Sequence, residues 1–162
     1  PTIPAGDPRV IRMRTFSKGY GLAGLRVGYA IAAPELITAF DKVRNHFGMG
    51  RIAQAGAMAA LQDQAWLAEV KTQVINARDQ IAAIASDNGL RPLPSATNFV
   101  SIDCGRDGEY ARAVLRELLA RDVFVRMPGV EPLDRCIRVS VGGAAELAVL
   151  AETLPLALRA AG

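Results

Sequence analysis

Residues 9–16, Arg-Val-Ile-Arg-Met-Arg-Thr-Phe, partly alternate apolar with polar positions, the period-two signature of a strand. A glycine-rich turn follows from Ser17 to Gly24, and Val27-Gly28-Tyr29-Ala30-Ile31-Ala32 reads as a second strand. Pro34 suits the first position of a helix and Glu35 its first turn, so a helix is expected to about Asn45, ended by residues 46–50. Residues 51–64 predict an apolar-rich helix. A longer amphipathic one is expected over 65–88, with Leu67, Val70, Val74, Ile81 and Ile84 near helical spacing. Asn88-Gly89 is a helix stop, and Pro92 and Pro94 mark a boundary. Beyond it the pattern predicts strand 97–103, helix 109–121, strand 123–126, a Pro128-Gly129 loop, strand 136–141 and helix 143–160. Strands alternating with helices imply an α/β layer with helices lying on the sheet.

Composition narrows the functional classes. The 162 residues are 51% hydrophobic and 22% charged, enough apolar material for a packed core. The net charge of +3 is dispersed along the chain, which argues against nucleic-acid binding. No run approaches the roughly 20 apolar residues of a membrane helix. Cys104 and Cys136 lie far apart, and His46 is the single histidine, so no zinc-site spacing is present and no metal is expected. Two well-separated cysteines fit a reducing cytoplasm, where they serve as small buried hydrophobes. Pro1 to Pro8 reads as the middle of a loop without an initiator Met, so the chain is expected to begin inside a longer protein.

The chemistry concentrates in Thr15-Phe16-Ser17-Lys18-Gly19-Tyr20-Gly21-Leu22-Ala23-Gly24-Leu25-Arg26-Val27-Gly28-Tyr29. Gly19, Gly21 and Gly24 satisfy G-x-G-x-x-G, but a dinucleotide site needs its last glycine to open a long helix under the pyrophosphate. Only Leu25 and Arg26 separate Gly24 from the next strand. A second reading is a loop for pyridoxal phosphate (PLP). A lysine amine forms an imine with an aldehyde, a neighbouring serine hydrogen-bonds a phosphate, and an arginine pairs with the dianion. Lys18, Ser17 and Arg26 supply these groups, with Lys18 and Arg26 eight positions apart. Residue types alone also leave open a surface turn with a solvated lysine.

The string resembles the lysine segment of fold-type I, class I/II aminotransferases, and within them the histidinol-phosphate aminotransferase group, which reads Thr-Leu/Phe-Ser-Lys and then Gly-Leu-Ala-Gly-Leu-Arg-x-Gly-Tyr. The match covers residues 14–31 almost without gaps. The resemblance implies that Lys18 is the Schiff-base lysine and catalytic base, and that Ser17 and Arg26 bind the PLP phosphate. Asn98-Phe99-Val100 is similar to the strand that opens the family's small domain. Val125-Arg126 and Ile137-Arg138-Val139-Ser140-Val141-Gly142 are similar to its two late arginine segments. They imply that Arg138 holds the substrate carboxylate, or the matching end of an amino-alcohol phosphate. Arg126 adds a contact to a phosphate or acidic side chain. A guanidinium suits both tasks, being always charged and bidentate.

The implied fold class is α/β, the C-terminal portion of the aminotransferase fold: residues 1–50 end the large PLP-binding domain, 51–90 form a helical connection, and 91–162 make a small α/β domain. The implied reaction is transamination of an amino acid or amino-alcohol phosphate, histidinol phosphate or an aromatic amino acid, with 2-oxoglutarate as acceptor. A homodimer in the cytoplasm is expected. The family's ring-binding Asp and stacking aromatic precede the lysine segment. Asp7 is the only acid among the 17 residues before Lys18, and it does not match that motif. The chain alone is therefore expected to bind PLP weakly, to be inactive, and to need the missing N-terminal half of the same protein. Rival readings are an amino-acid-phosphate decarboxylase of the same fold, the effector domain of a transcription regulator, and a noncatalytic fragment. Tyr20, Tyr29 and Trp66 are expected to pack, His46 to sit at a helix end or interface, and Arg51 near inter-subunit contacts.

Overall fold

A computed structural model describes Pro4 and residues 6–162, so part of the loop expected over 1–8 lies outside the described residues. The chain forms two compact units, one running to Lys71 and the other from Thr72 to Gly162.

The first unit is built on an antiparallel hairpin of β1 (Arg12–Thr15) and β2 (Gly28–Ile31), with Arg12 opposite Ile31 and Thr15 opposite Gly28. The connection carries one 3-10 turn, Ala23–Leu25. Phe16 follows β1 and is almost fully buried with Val27 and Ala57; Tyr20, Leu22, Leu25 and Tyr29 pack around them. The Phe16 ring lies 4.9 Å from Tyr20 and 5.7 Å from Tyr29, so both tyrosines are packing residues. Gly28 has a steric reason to be glycine: a Cβ there would come 2.6 Å from the Arg14 carbonyl oxygen.

Helix α1 spans Pro34–Asp41, with Pro34 in its first turn. It stops four residues short of the expected Asn45. Val43 is 81% exposed, so no apolar face is buried there to propagate the helix. The chain instead tightens through Lys42 N–H to Ala39 O (3.2 Å) and Val43 N–H to Phe40 O (3.1 Å). Helix α2 is Arg51–Gln62 and α3 is Gln64–Asp87. Asp63 separates them, its Oδ1 accepting the Trp66 N–H at 2.9 Å as a cap for α3.

The second unit is a three-stranded antiparallel sheet in the order β3-β4-β5, with β3 at Arg91–Pro92, β4 at Phe99–Asp103 and β5 at Cys136–Ser140. Helix α4 (Gly108–Leu119) follows β4, and α5 (Ala144–Ala161) follows β5. The strand period sends Val100, Ile102, Ile137 and Val139 to one face, where they form one core with Ile81 of α3, Val114 and Leu118 of α4, and Leu150 and Leu154 of α5. Asp107 caps α4, its carboxylate accepting the Tyr110 N–H at 2.9 Å. Gly89, at φ +72°, ends α3 as its sequence signal indicates.

One sequence expectation needs correction here, and one strand was not expected. Residues 123–126 do not form a strand; one bridge joins Arg126 to Arg138. Phe124 is 73% exposed, so its side chain adds nothing to hold this segment against the sheet. Conversely, the Pro92 boundary holds the short edge strand β3. Proline is tolerated there because an edge strand leaves one side of its backbone unpaired.

Candidate functional site

In the first unit the segment after β1 is a loop closed on itself. The Leu22 N–H donates to Phe16 O at 2.9 Å and the Gly21 N–H to Lys18 O at 2.8 Å. Gly21 takes φ +69°, a conformation that glycine enters without a steric cost. The buried Phe16 ring anchors this loop, so Ser17 and Lys18 are held on a fixed base while Lys18 itself is exposed. Among the described residues no hydrogen bond or ion pair engages Lys18 Nζ.

Ser17 and Arg26 line one open depression of about 360 Å³ together with Met13, Arg14, Thr15, Val27 and Gly28. Arg26 has φ 51° and ψ 46°, left-handed for a residue with a Cβ. Such a conformation costs about 1–2 kcal/mol and is held only where the surroundings enforce it. Its Nη1 donates to Ala23 O at 2.7 Å, which leaves four of the five guanidinium N–H groups uncommitted. Thr15 Oγ1 donates to Ser17 Oγ at 2.8 Å, so the Ser17 proton stays available to another acceptor. A free hydroxyl donor and an unneutralised guanidinium on one concavity fit a phosphate. Lys18 is next in sequence to Ser17 but does not line that depression.

In the second unit Arg138 lies in β5, opposite Ser101, on the sheet face away from the helices. Its other edge meets Arg126: the Arg126 N–H donates to Arg138 O at 3.1 Å and the Arg138 N–H to Arg126 O at 2.6 Å. This is a hydrogen-bonded antiparallel pair, which points both side chains to the same face. Like charges opposed in this way repel, and among the described residues neither arginine has an acidic partner. The Arg138 guanidinium sits 4.7 Å above the Phe99 ring, and its Nε is buried without a hydrogen-bond partner. An anion on this face would relieve the repulsion between the two guanidinium groups. Phe99 was legible only as part of a strand; its stacking under Arg138 depends on a diagonal pairing across β4 and β5 between residues 39 positions apart in the chain.

The remaining polar groups are structural. Asp103 is buried and accepts from Gly105 N–H (2.9 Å), Arg91 Nη2 (2.7 Å) and Arg135 Nε (2.8 Å). Burial pushes its carboxyl up, but these donors outweigh that and hold it below the usual range. Cys104 and Cys136 are free and buried, and desolvation raises both thiols, Cys104 to about 11. His46 and Arg51 are exposed. Among the described residues no cluster of His, Cys, Asp and Glu could hold a metal, and no helix is long and apolar enough to cross a membrane.

The family model for class I and II aminotransferases matches residues 3–154. The histidinol-phosphate aminotransferase of Moorella thermoacetica is 39% identical over 140 residues, covering 86% of this chain and 36% of that enzyme. The histidinol-phosphate aminotransferase of Bacillus pumilus is 41% identical over 145 residues, covering 90% of this chain and 39% of that enzyme. Among solved structures, the histidinol-phosphate aminotransferase of Sinorhizobium meliloti in complex with pyridoxal-5'-phosphate superposes with a TM-score of 0.93 at 55% identity, covering 97% of this chain and 43% of that one. The chain thus spans about two fifths of the length of the relatives it matches.

Proposed function

Because the chain belongs to the class I and II aminotransferase family, we propose that it forms the lysine and phosphate-binding part of a PLP-dependent enzyme of the histidinol-phosphate aminotransferase kind. The observation that carries this reading is the depression shared by Ser17 and Arg26, next in sequence to a lysine whose amine has no partner among the described residues. Bound there, PLP supplies an aldehyde for the lysine and an electron sink for the reaction.

The chain's own groups take the following roles. Ser17 donates its hydroxyl proton to the phosphate, and Arg26 pairs with the same dianion. Lys18 Nζ would hold the cofactor through its amine, and with that amine free it would act as the general base that accepts the substrate α-proton and returns it. Arg138, stacked on Phe99, binds the substrate carboxylate or the equivalent anionic end of an amino-alcohol phosphate, and Arg126 beside it adds a second cation. The amino donor is histidinol phosphate or an aromatic amino acid, with 2-oxoglutarate as acceptor, in a cytoplasmic homodimer. Asp7 does not serve the cofactor ring: Arg9 engages both its oxygens, Nε at 3.0 Å and Nη2 at 2.9 Å. The chain by itself is therefore expected to bind PLP weakly and not to transaminate. Activity then depends on the N-terminal half of the enzyme, which corresponds to the part of its relatives that this chain does not span.

The test uses the chain at saturating PLP. Borohydride reduction followed by peptide mapping is expected to place the label on Lys18, and Lys18→Ala to abolish it. A label on other lysines, or none, overturns the assignment. Substrate choice is read in a polypeptide joining this chain to the rest of such an enzyme, by comparing histidinol phosphate with aromatic amino acids as donors. Indifference to the phosphate removes the histidinol-phosphate reading.

A further inference from the structure

We infer that Phe99 is a positioning residue for Arg138: its ring holds the guanidinium so that the Nη groups, and not Nε, meet the anion. This rests on the reading of Arg138 as the residue that takes the substrate carboxylate or its anionic equivalent. The Arg138 Cζ stands 4.7 Å from the centre of the Phe99 ring, within cation–π range. Arg138 Nε is buried and has no hydrogen-bond partner, so a ligand cannot reach it without displacing the side chain. A guanidinium offers a donor edge made of Nε with one Nη, and another made of both Nη groups. Burial closes the first, and the second receives the anion. Its parallel N–H donors match the paired oxygens of a carboxylate.

Phe99 is well placed to enforce this. It opens β4 opposite Ser140, while Ser101 stands opposite Arg138. Alternate residues of a strand share a face, so Phe99 and Ser101 both lie on the face that carries Arg138, and Phe99 is its diagonal neighbour. Ser101 is too short to support a guanidinium, which leaves that task to the ring. The backbone of Phe99 is fixed in turn. The Ser95 hydroxyl donates to the Phe99 carbonyl at 2.5 Å, and Arg78 Nη1 of α3 donates to Thr97 O of the same loop at 3.3 Å. A long arginine side chain loses rotamer freedom when it binds. Holding it beforehand on a fixed ring lowers that cost, so Phe99 acts through Arg138 on affinity for the anion.

The test is a nitrogen-15 NMR titration of the whole chain with 2-oxoglutarate. Affinity is read at the β5 amides, so that binding at the Ser17 depression does not enter, and geometry at the arginine Nε–H signals. In the wild type the Arg138 Nε–H should be protected from solvent exchange and should stay so as the ligand is added. Phe99→Leu keeps an apolar side chain but removes the ring. It should expose that Nε–H to exchange and weaken 2-oxoglutarate by about two- to fivefold, the worth of one cation–π contact. Phe99→Tyr keeps the ring and should hold both readouts near the wild type, affinity within about twofold. Phe99→Leu added to Arg138→Ala should weaken binding no further, because Phe99 works through that guanidinium. Wild-type behaviour of Phe99→Leu, equal losses for Phe99→Leu and Phe99→Tyr, multiplicative losses in the double variant, or an Nε–H that becomes the ligand's donor each overturn the inference. If Arg138→Ala binds 2-oxoglutarate as the wild type does, or the wild type binds none, the reading of Arg138 fails and the inference with it. Should Phe99→Leu disturb the β4–β5 amide pattern, Phe99→Met carries the same test.

Discussion

Replacing Asp103 by Ala removes one buried carboxylate that serves three donors on separate segments: Gly105 just after β4, Arg91 in β3 and Arg135 just before β5. A hydrogen bond to a charged group contributes about 1.5–3 kcal/mol in net terms. The Gly105 contact is short and local, and the carboxylate is only 4% exposed, so that bond keeps its full worth. The arginine side chains are 75% and 42% exposed, so solvent screens them to about 0.5–1 kcal/mol each. Asp103→Ala should therefore destabilise the second unit by about 3 kcal/mol. Asp103→Asn, which keeps an accepting oxygen, should cost about half of that. Amide exchange of β4 and β5 reads this unit directly, since Ile102 and Ile137 lie at its core. The acid limb gives an independent check. The folded carboxyl titrates below the roughly 3.9 of an unstructured Asp. Its contribution is then complete above about pH 5 and drains as pH falls through 4 toward the folded value. Asp103→Asn should remove that part of the acid slope. Wild-type protection at pH 7 together with an unchanged acid slope would refute the account.

Three other outcomes follow from local geometry. Arg26→Gly relieves a left-handed residue, so chemical denaturation should show stability unchanged or raised by about 1 kcal/mol, while phosphate affinity falls several-fold; a loss of stability would show that the guanidinium holds the loop. Gly28→Ala drives a Cβ toward the Arg14 carbonyl oxygen and should cost about 1–3 kcal/mol by thermal unfolding, since backbone rather than a flexible side chain must yield; wild-type stability would show that the hairpin opens freely. Cys104, buried and with its thiol raised to about 11, should resist thiol reagents at pH 8 and react only under denaturant; fast labelling of the native chain would contradict its burial.

Elements with local signals could be read from the residues alone. The partial alternation in 9–16, the strand-like run 27–32, the stop at Asn88-Gly89 and the apolar spacing over 65–88 each depend on neighbours within a turn or a pleat, and the structure places β1, β2 and α3 within or close to those bounds. The lysine segment was legible for a related reason: its glycines, Ser17, Lys18 and Arg26 form one continuous loop, so a linear pattern captures most of it. The limits came where long-range packing decides. The end of α1 at Asp41 was not legible, because Val43 and Arg44 are as acceptable in a helix as the residues before them. Residues 123–126 have strand-like composition, yet only Arg126 finds a partner, because strand pairing needs a neighbour as well as a propensity. The stacking of Arg138 on Phe99 and the convergence of Arg91 and Arg135 on Asp103 join residues distant in sequence. The direction of the Thr15–Ser17 hydrogen bond is decided by which donors and acceptors the folded hairpin leaves free, and no residue string encodes that.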